Sequence, residues 1–134
     1  MSTESKYLEQ EGYDFMGAAF EVYNELGSGL TEEIYQECLE IELCSQSIPF
    51  QSQVRLAVWY KEQKISRCYI PDLIVQNQIL VELKAVKELS KEHEKQLFNY
   101  LHITKKPLGY LINFASPGKL QWKRFLINTY IPAG

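Results

Sequence analysis

Tyr69-Ile70-Pro71-Asp72-Leu73-Ile74-Val75 and, after a turn at Gln76-Asn77-Gln78, Ile79-Leu80-Val81-Glu82-Leu83-Lys84-Ala85-Val86 are two apolar runs broken by a proline and three charges. Strand periodicity puts Glu82 and Lys84 on one face of the second run and Val81, Leu83 and Ala85 on the other. Charges inside a sheet are costly unless paired or bound to a cation. Glu82 and Lys84 are therefore either a solvent-facing ion pair or part of a catalytic strand. The first run shifts the balance, because it carries Asp72 inside apolar neighbours. Pro71 has no N–H to donate, so the sheet should open or kink beside Asp72. The short turn makes the two runs antiparallel neighbours and brings Asp72 close to Glu82. Two carboxylates with a backbone carbonyl and water are hard oxygen donors suited to Mg²⁺. Such an ion polarises a phosphate and acidifies a bound water, while a lysine beside it orients that water or offsets developing charge.

Outward from these runs, Phe50–Tyr60 alternates as a strand, with Val54, Leu56 and Val58 facing one way and Arg55, Ala57 and Trp59 the other. A hairpin turn at 61–64, without an Asn-Gly signal, leads into a second strand over 65–75. The third strand covers 79–86. Toward the amino terminus, Met16, Ala19, Phe20, Tyr23 and Leu26 recur at helical spacing, with Phe15, Ala18 and Val22 widening the apolar face, so a helix is expected over 7–26. Gly27-Ser28-Gly29 ends it. A second helix runs from Thr31, as N-cap, to Gln46, with Ile34, Cys38 and Ile41 on its buried side and Tyr35 and Leu39 beside them. Toward the carboxyl terminus, Ser90 caps a third helix that reaches His102, preceded by Leu89 and packed through Leu97, Phe98, Tyr100 and Leu101. Strands over 108–114 and 120–127 close the chain. The order ααβββαββ implies an α/β fold with helices packed on a sheet.

At 134 residues with 46% hydrophobic and 23% charged residues, the chain is expected to fold as one domain spanning 1–134. No apolar run approaches the roughly 20 residues of a membrane span. The polar, acidic start argues against a secretory leader. Cys38, Cys44 and Cys68 are odd in number and contain no CxxC pair, which points to a reducing, cytoplasmic setting and away from zinc. The net charge of −3 conceals an asymmetry: residues 1–60 hold two basic against eleven acidic side chains, and residues 61–134 hold twelve against six. A basic second half permits one surface to attract phosphate.

The words Pro71-Asp72 and Glu82-Leu83-Lys84 resemble the signature of the PD-(D/E)XK phosphodiesterase superfamily, which includes many restriction and repair nucleases. More narrowly, Gly29-Leu30-Thr31-Glu32-Glu33-Ile34-Tyr35 is similar to the motif that names the GxxExxY family. Gly17–Val22, Val81–Lys87, Gln96–Leu101 and Leu111–Phe114 extend that likeness over most of the chain. The resemblance implies an αβββαβ nuclease core with an additional amino-terminal helix and a mixed central sheet flanked by helices. It implies a Mg²⁺- or Mn²⁺-dependent phosphodiesterase (nuclease). Asp72, Glu82 and Glu32 would hold the metal, Lys84 would activate water or stabilise charge, and Gln96 would assist from the following helix. DNA is the expected substrate ahead of RNA. A catalytically silent nuclease-fold module that binds nucleic acid or protein is the alternative, and a small phosphorylated substrate is a third reading.

Other residues carry bland readings beside the functional ones. Glu32 and Glu33 open a helix, where its dipole favours carboxylates in any case. Tyr35 is read as core, and Gln96 reads equally well as a capping or bridging residue on a helix surface. Glu21 either approaches the site from behind or is a satisfied buried acid. His93 and His102 read as surface or helix-end residues. Lys87, Lys91 and Lys95 form a stripe that, although Glu88, Glu92 and Glu94 interleave, could contact a phosphate backbone. Trp59, Tyr60 and Trp122 could lie in a homodimer or partner interface.

Overall fold

Apolar spacing sets the first layer. The computed structural model describes residues 6–133, and in it α1 (Glu9–Leu26) buries Phe15, Met16, Ala18, Ala19 and Val22. α2 (Glu32–Ser45) buries Tyr35, Leu39 and Leu43, one residue per turn or so along a single stripe. Between the helices Gly29 takes φ 108°, a conformation open to glycine, and the Tyr35 hydroxyl ties the loop down. It donates to the Gly27 carbonyl at 2.5 Å and accepts from the Leu30 N–H at 3.3 Å, while its ring stacks on Phe114 at 4.7 Å. Tyr35 is thus structural.

The central sheet has five strands in the order β1 (Phe50–Gln51), β4 (Leu73–Val75), β5 (Ile79–Lys84), β6 (Leu108–Asn113) and β7 (Gln121–Leu126). The β5–β6 pair is parallel and every other pair is antiparallel, so the sheet is mixed as expected. A parallel pair needs a crossover, supplied here by α3 (Lys91–Thr104). α1 and α2 cover one face through Leu73, Val75, Val81, Leu83 and Ile112. α3 covers the other through Leu97 and Leu101 on Ile74, Leu80 and Leu111. Gly109 on β6 permits that contact, because a Cβ there would lie 3.1 Å from Leu101 Cδ1. Strands β2 (Leu56–Tyr60) and β3 (Gln63–Tyr69) form a separate two-stranded ribbon on the α3 side.

Several expectations are corrected. The expected strands over 50–60 and 65–75 are each divided between the two sheets. Gln53 has φ 62° at the first break, and Ile70-Pro71-Asp72 forms the second. The helix expected from residue 7 begins at Glu9, and Thr31 stands at the α2 N-cap without a side-chain bond. Ile34 and Ile41 are 43% and 65% exposed, since the stripe through Leu39 and Leu43 wins the packing. Phe98 is 46% exposed because Leu97 and Leu101 alone fill the α3 seam. Glu21 is exposed, which removes both readings offered for it. Ser90 caps α3 as expected, with His93 as its reciprocal partner: Ser90 Oγ accepts from the His93 N–H, and His93 Nδ1 accepts from the Ser90 N–H.

The loop from β5 to α3 hangs on a buried amide. Asn113 is fully buried; its Oδ1 accepts from the Val86 and Ala115 N–H groups at 3.0 and 3.2 Å, and its Nδ2 donates to Gln121 Oε1 at 3.0 Å. The same Gln121 oxygen accepts from the Leu89 N–H at 2.9 Å. Asn113→Leu preserves bulk, leaves the half-buried Val86 and Ala115 N–H donors unpaired and removes a partner of Gln121, so it should cost about 2–4 kcal/mol. Thermal unfolding followed by circular dichroism should show a drop of roughly 10 °C; an unchanged Tm would show that the loop is held by other means.

Candidate active site

β4 and β5 pair with Leu73 opposite Val81 and Ile74 opposite Leu80. Continuing that register sets Asp72 across from Glu82, at the point where Pro71 has ended the ladder. Asp72 fills the gap with its side chain: Oδ2 accepts from the Leu83 N–H at 2.7 Å. Glu82 and Lys84 share the α3-side face of β5, both half-buried, while Val81 and Leu83 are buried against the helices behind. The expected convergence of Asp72, Glu82 and Lys84 is therefore what the chain builds.

Two residues that the sequence reading did not single out, Tyr69 and Gln36, complete the surroundings. Tyr69, the last residue of β3, donates its hydroxyl to Glu82 Oε1. Its ring stacks on Tyr100 of α3 with centroids 3.8 Å apart. Gln36 of α2 donates Nε2 to the Asp72 carbonyl at 2.9 Å and to Glu40 Oε2 at 3.2 Å, clamping the broken strand from the opposite layer. The available signal was position: Tyr69 lies three residues before Asp72, and Gln36 lies one turn after Glu32.

Other expected site residues stand apart. Glu32 is exposed at the head of α2, on the same stripe as Gln36, and bonds neither Asp72 nor Glu82. Among the described residues no three acidic, histidine or cysteine side chains cluster closely enough to hold a metal ion, so the Glu32–Asp72–Glu82 set is not assembled. Gln96 is exposed on α3, one turn before Tyr100, and bonds none of the three central residues. Lys87, Lys91 and Lys95 are all exposed.

Electrostatics mark Asp72 and Glu82 as a strained pair. Burial, and then the neighbouring Asp72 charge, push the Glu82 carboxyl up to about 7, against the opposing pull of the Tyr69 hydroxyl, Lys84 and the Asp72 backbone N–H. Burial also raises Asp72, partly offset by the Leu83 N–H and by Lys84. Tyr69 is raised by burial and by the Glu82 charge, so it stays a neutral donor. The donor set fits a divalent cation in kind: two carboxylates with one oxygen each outside these hydrogen bonds, more negative charge than one lysine balances, and no soft ligand.

A raised carboxyl binds its proton more tightly in the folded state than in the unfolded one. Stability from Glu82 is thus fully present below the ordinary glutamate value and is lost as pH rises through about 7. In metal-free protein, Tm should rise by several degrees between pH 8 and pH 5.5, and Glu82→Gln should remove most of that dependence. Parallel Tm–pH profiles of the two proteins would contradict the assigned burial of Glu82.

The sequence model of the PD-(D/E)XK nuclease superfamily matches residues 9–125. No curated protein is detectably similar to the chain. Among solved structures, that titled "Crystal structure of SSO0001" superposes with a TM-score of 0.54 at 18% sequence identity, over 70% of this chain and 48% of that one. This chain spans about half the length of that protein, and the likeness speaks for the fold alone. With the family match covering both helical layers, the sheet and the Asp72–Glu82–Lys84 site, the chain belongs to the PD-(D/E)XK nuclease superfamily.

Proposed function

We propose that the chain, as one nuclease-like unit over 1–134 and within the GxxExxY branch, hydrolyses phosphodiester bonds of DNA with Mg²⁺ or Mn²⁺. The observation that carries this reading is the register of β4 on β5, which sets Asp72 against Glu82 with Lys84 on the same face. Asp72 and Glu82 would hold the cation through the oxygens not engaged by the Leu83 N–H and the Tyr69 hydroxyl. Glu32, exposed and without a side-chain hydrogen bond among the described residues, is the proposed third acid, reaching in from the head of α2. A bound divalent ion supplies charge neutralisation at the phosphate and acidification of a water.

The residues of the chain supply the rest. Lys84, held half-buried on the rigid strand β5, presents its ammonium to a phosphate oxygen or to the attacking water and offsets charge as it develops. Tyr69 and the Leu83 N–H fix the two carboxylates in place, so little reorganisation is needed when substrate arrives. Gln96 would contact water or phosphate from α3, and Lys87, Lys91 and Lys95 would meet the backbone further out. Exposed Tyr60 and Trp122 are available to a second copy or a partner.

One observation favours a second reading, a nuclease fold that binds nucleic acid or protein without cutting. Each carboxylate already gives one oxygen to a protein donor, and Glu32 stays outside the pair. Cleavage of fluorescently labelled DNA with Mg²⁺ or Mn²⁺ separates the two. The enzyme reading expects divalent-dependent hydrolysis that falls at least about 100-fold in Asp72→Asn and in Lys84→Ala. Calorimetric Mn²⁺ binding should vanish in the Asp72→Ala, Glu82→Ala double variant. Absence of hydrolysis together with absence of metal binding, even with an oligonucleotide present, would establish the silent module instead.

A further inference from the structure

The ribbon β2–β3 is out of keeping with the rest of the fold. No backbone ladder joins it to the five-stranded sheet, and every residue from Gln63 to Cys68 is exposed, so both faces of β3 meet solvent. An isolated two-stranded ribbon with both faces bare is poorly stabilised by its own contacts. Here it is anchored at its base, where Leu56 and Tyr69 pack against the α3-side core and Val58 is buried. The bare part carries Lys61, Lys64 and Arg67, with Arg55 at the base and Glu62 as its one acid. Among the described residues none of these cations enters a salt bridge.

Position gives that charge a direction. β3 ends at Tyr69, whose hydroxyl bonds Glu82, and Asp72 follows three residues later. Lys64 pairs with Trp59, and Arg67 lies in the irregular stretch between the Trp59–Lys64 and Ala57–Cys68 pairs, two residues before Tyr69. The opposite layer is of contrary sign: α1 and α2 together hold ten acidic and no basic side chains. A polyanion near Asp72 and Glu82 is repelled from the helical layer and drawn to the ribbon. A two-stranded β-ribbon also matches the width of the B-DNA major groove, whereas the corresponding groove of duplex RNA is too deep and narrow.

We infer that the β2–β3 ribbon is a DNA-contacting arm, which enters or straddles the groove of a duplex beside the site and holds its phosphates through Lys64 and Arg67. This rests on the reading of the site as one that faces nucleic acid, and the test separates the two. Fluorescence anisotropy of a labelled 20-base-pair duplex, in EDTA so that nothing is cut, compares wild type with Lys64→Gln, Arg67→Gln over a salt series. Binding should weaken at least about tenfold, and the slope of log K against log salt should fall by nearly two. The charge-conserving pair Lys64→Arg, Arg67→Lys should bind like wild type, which rules out a folding defect.

An unchanged slope in the glutamine pair, or wild-type protein that fails to bind the duplex, overturns the arm. So does equal preference for single-stranded RNA or duplex RNA of the same length. Duplex binding lost with the ribbon charges, in a protein that does not hydrolyse DNA, keeps the arm and removes the hydrolase. Hydrolysis that needs Asp72 but ignores Lys64 and Arg67 does the reverse.

Discussion

A proline that cannot donate a hydrogen bond organises the middle of this protein. At Ile70-Pro71 the strand leaves the ladder, and Asp72 meets the N–H of Leu83 with a carboxylate oxygen where a backbone carbonyl would otherwise serve. One chain segment thereby serves two sheets. Upstream of the break it forms the outer ribbon and lays Tyr69 over Glu82; downstream it enters the central sheet as β4. The acidic site sits at the junction because the broken ladder leaves polar groups there to be satisfied, and because β5 is held rigidly between β4 and β6.

The supports around that junction come from every layer. Gln36 reaches the Asp72 carbonyl from α2, Tyr100 stacks on Tyr69 from α3, and the Asn113–Gln121 pair fixes the chain as it leaves β5. These are short, neutral contacts that hold charged groups in a partly dry setting. Their effect is to keep two carboxylates close when mutual repulsion and burial would separate or protonate them. An arrangement of this kind is stable with a proton or a cation shared between the acids, and less so without either.

Charge is sorted by layer. The helices behind the sheet carry the acidic half of the chain, and the ribbon and the carboxyl-terminal elements carry the basic half. A whole-chain net charge of −3 therefore describes neither face. The field across the site runs from a negative helical layer to a positive ribbon, a gradient that bears on which side an anionic ligand can approach.

Much of this was legible in the residues. Alternation in 79–86 put Glu82 and Lys84 on one face, Pro71 announced the break, the turn at 76–78 implied the antiparallel pair, and Ser90 marked a helix start, because each signal acts over a few residues. Decisions that compare distant surfaces were not legible. Ile34, Ile41 and Phe98 look as apolar as Leu39 and Leu97, and only the packed layers decide which stripe is covered. Tyr69, Gln36 and Asn113 gain their roles from partners 13 to 36 positions away. Residue order carries the periodicities, the break and the identity of the charged residues. The sharing of two expected strands between two sheets, and the place of Glu32 outside the acidic pair, came from folding, since both depend on which surfaces meet once the layers close.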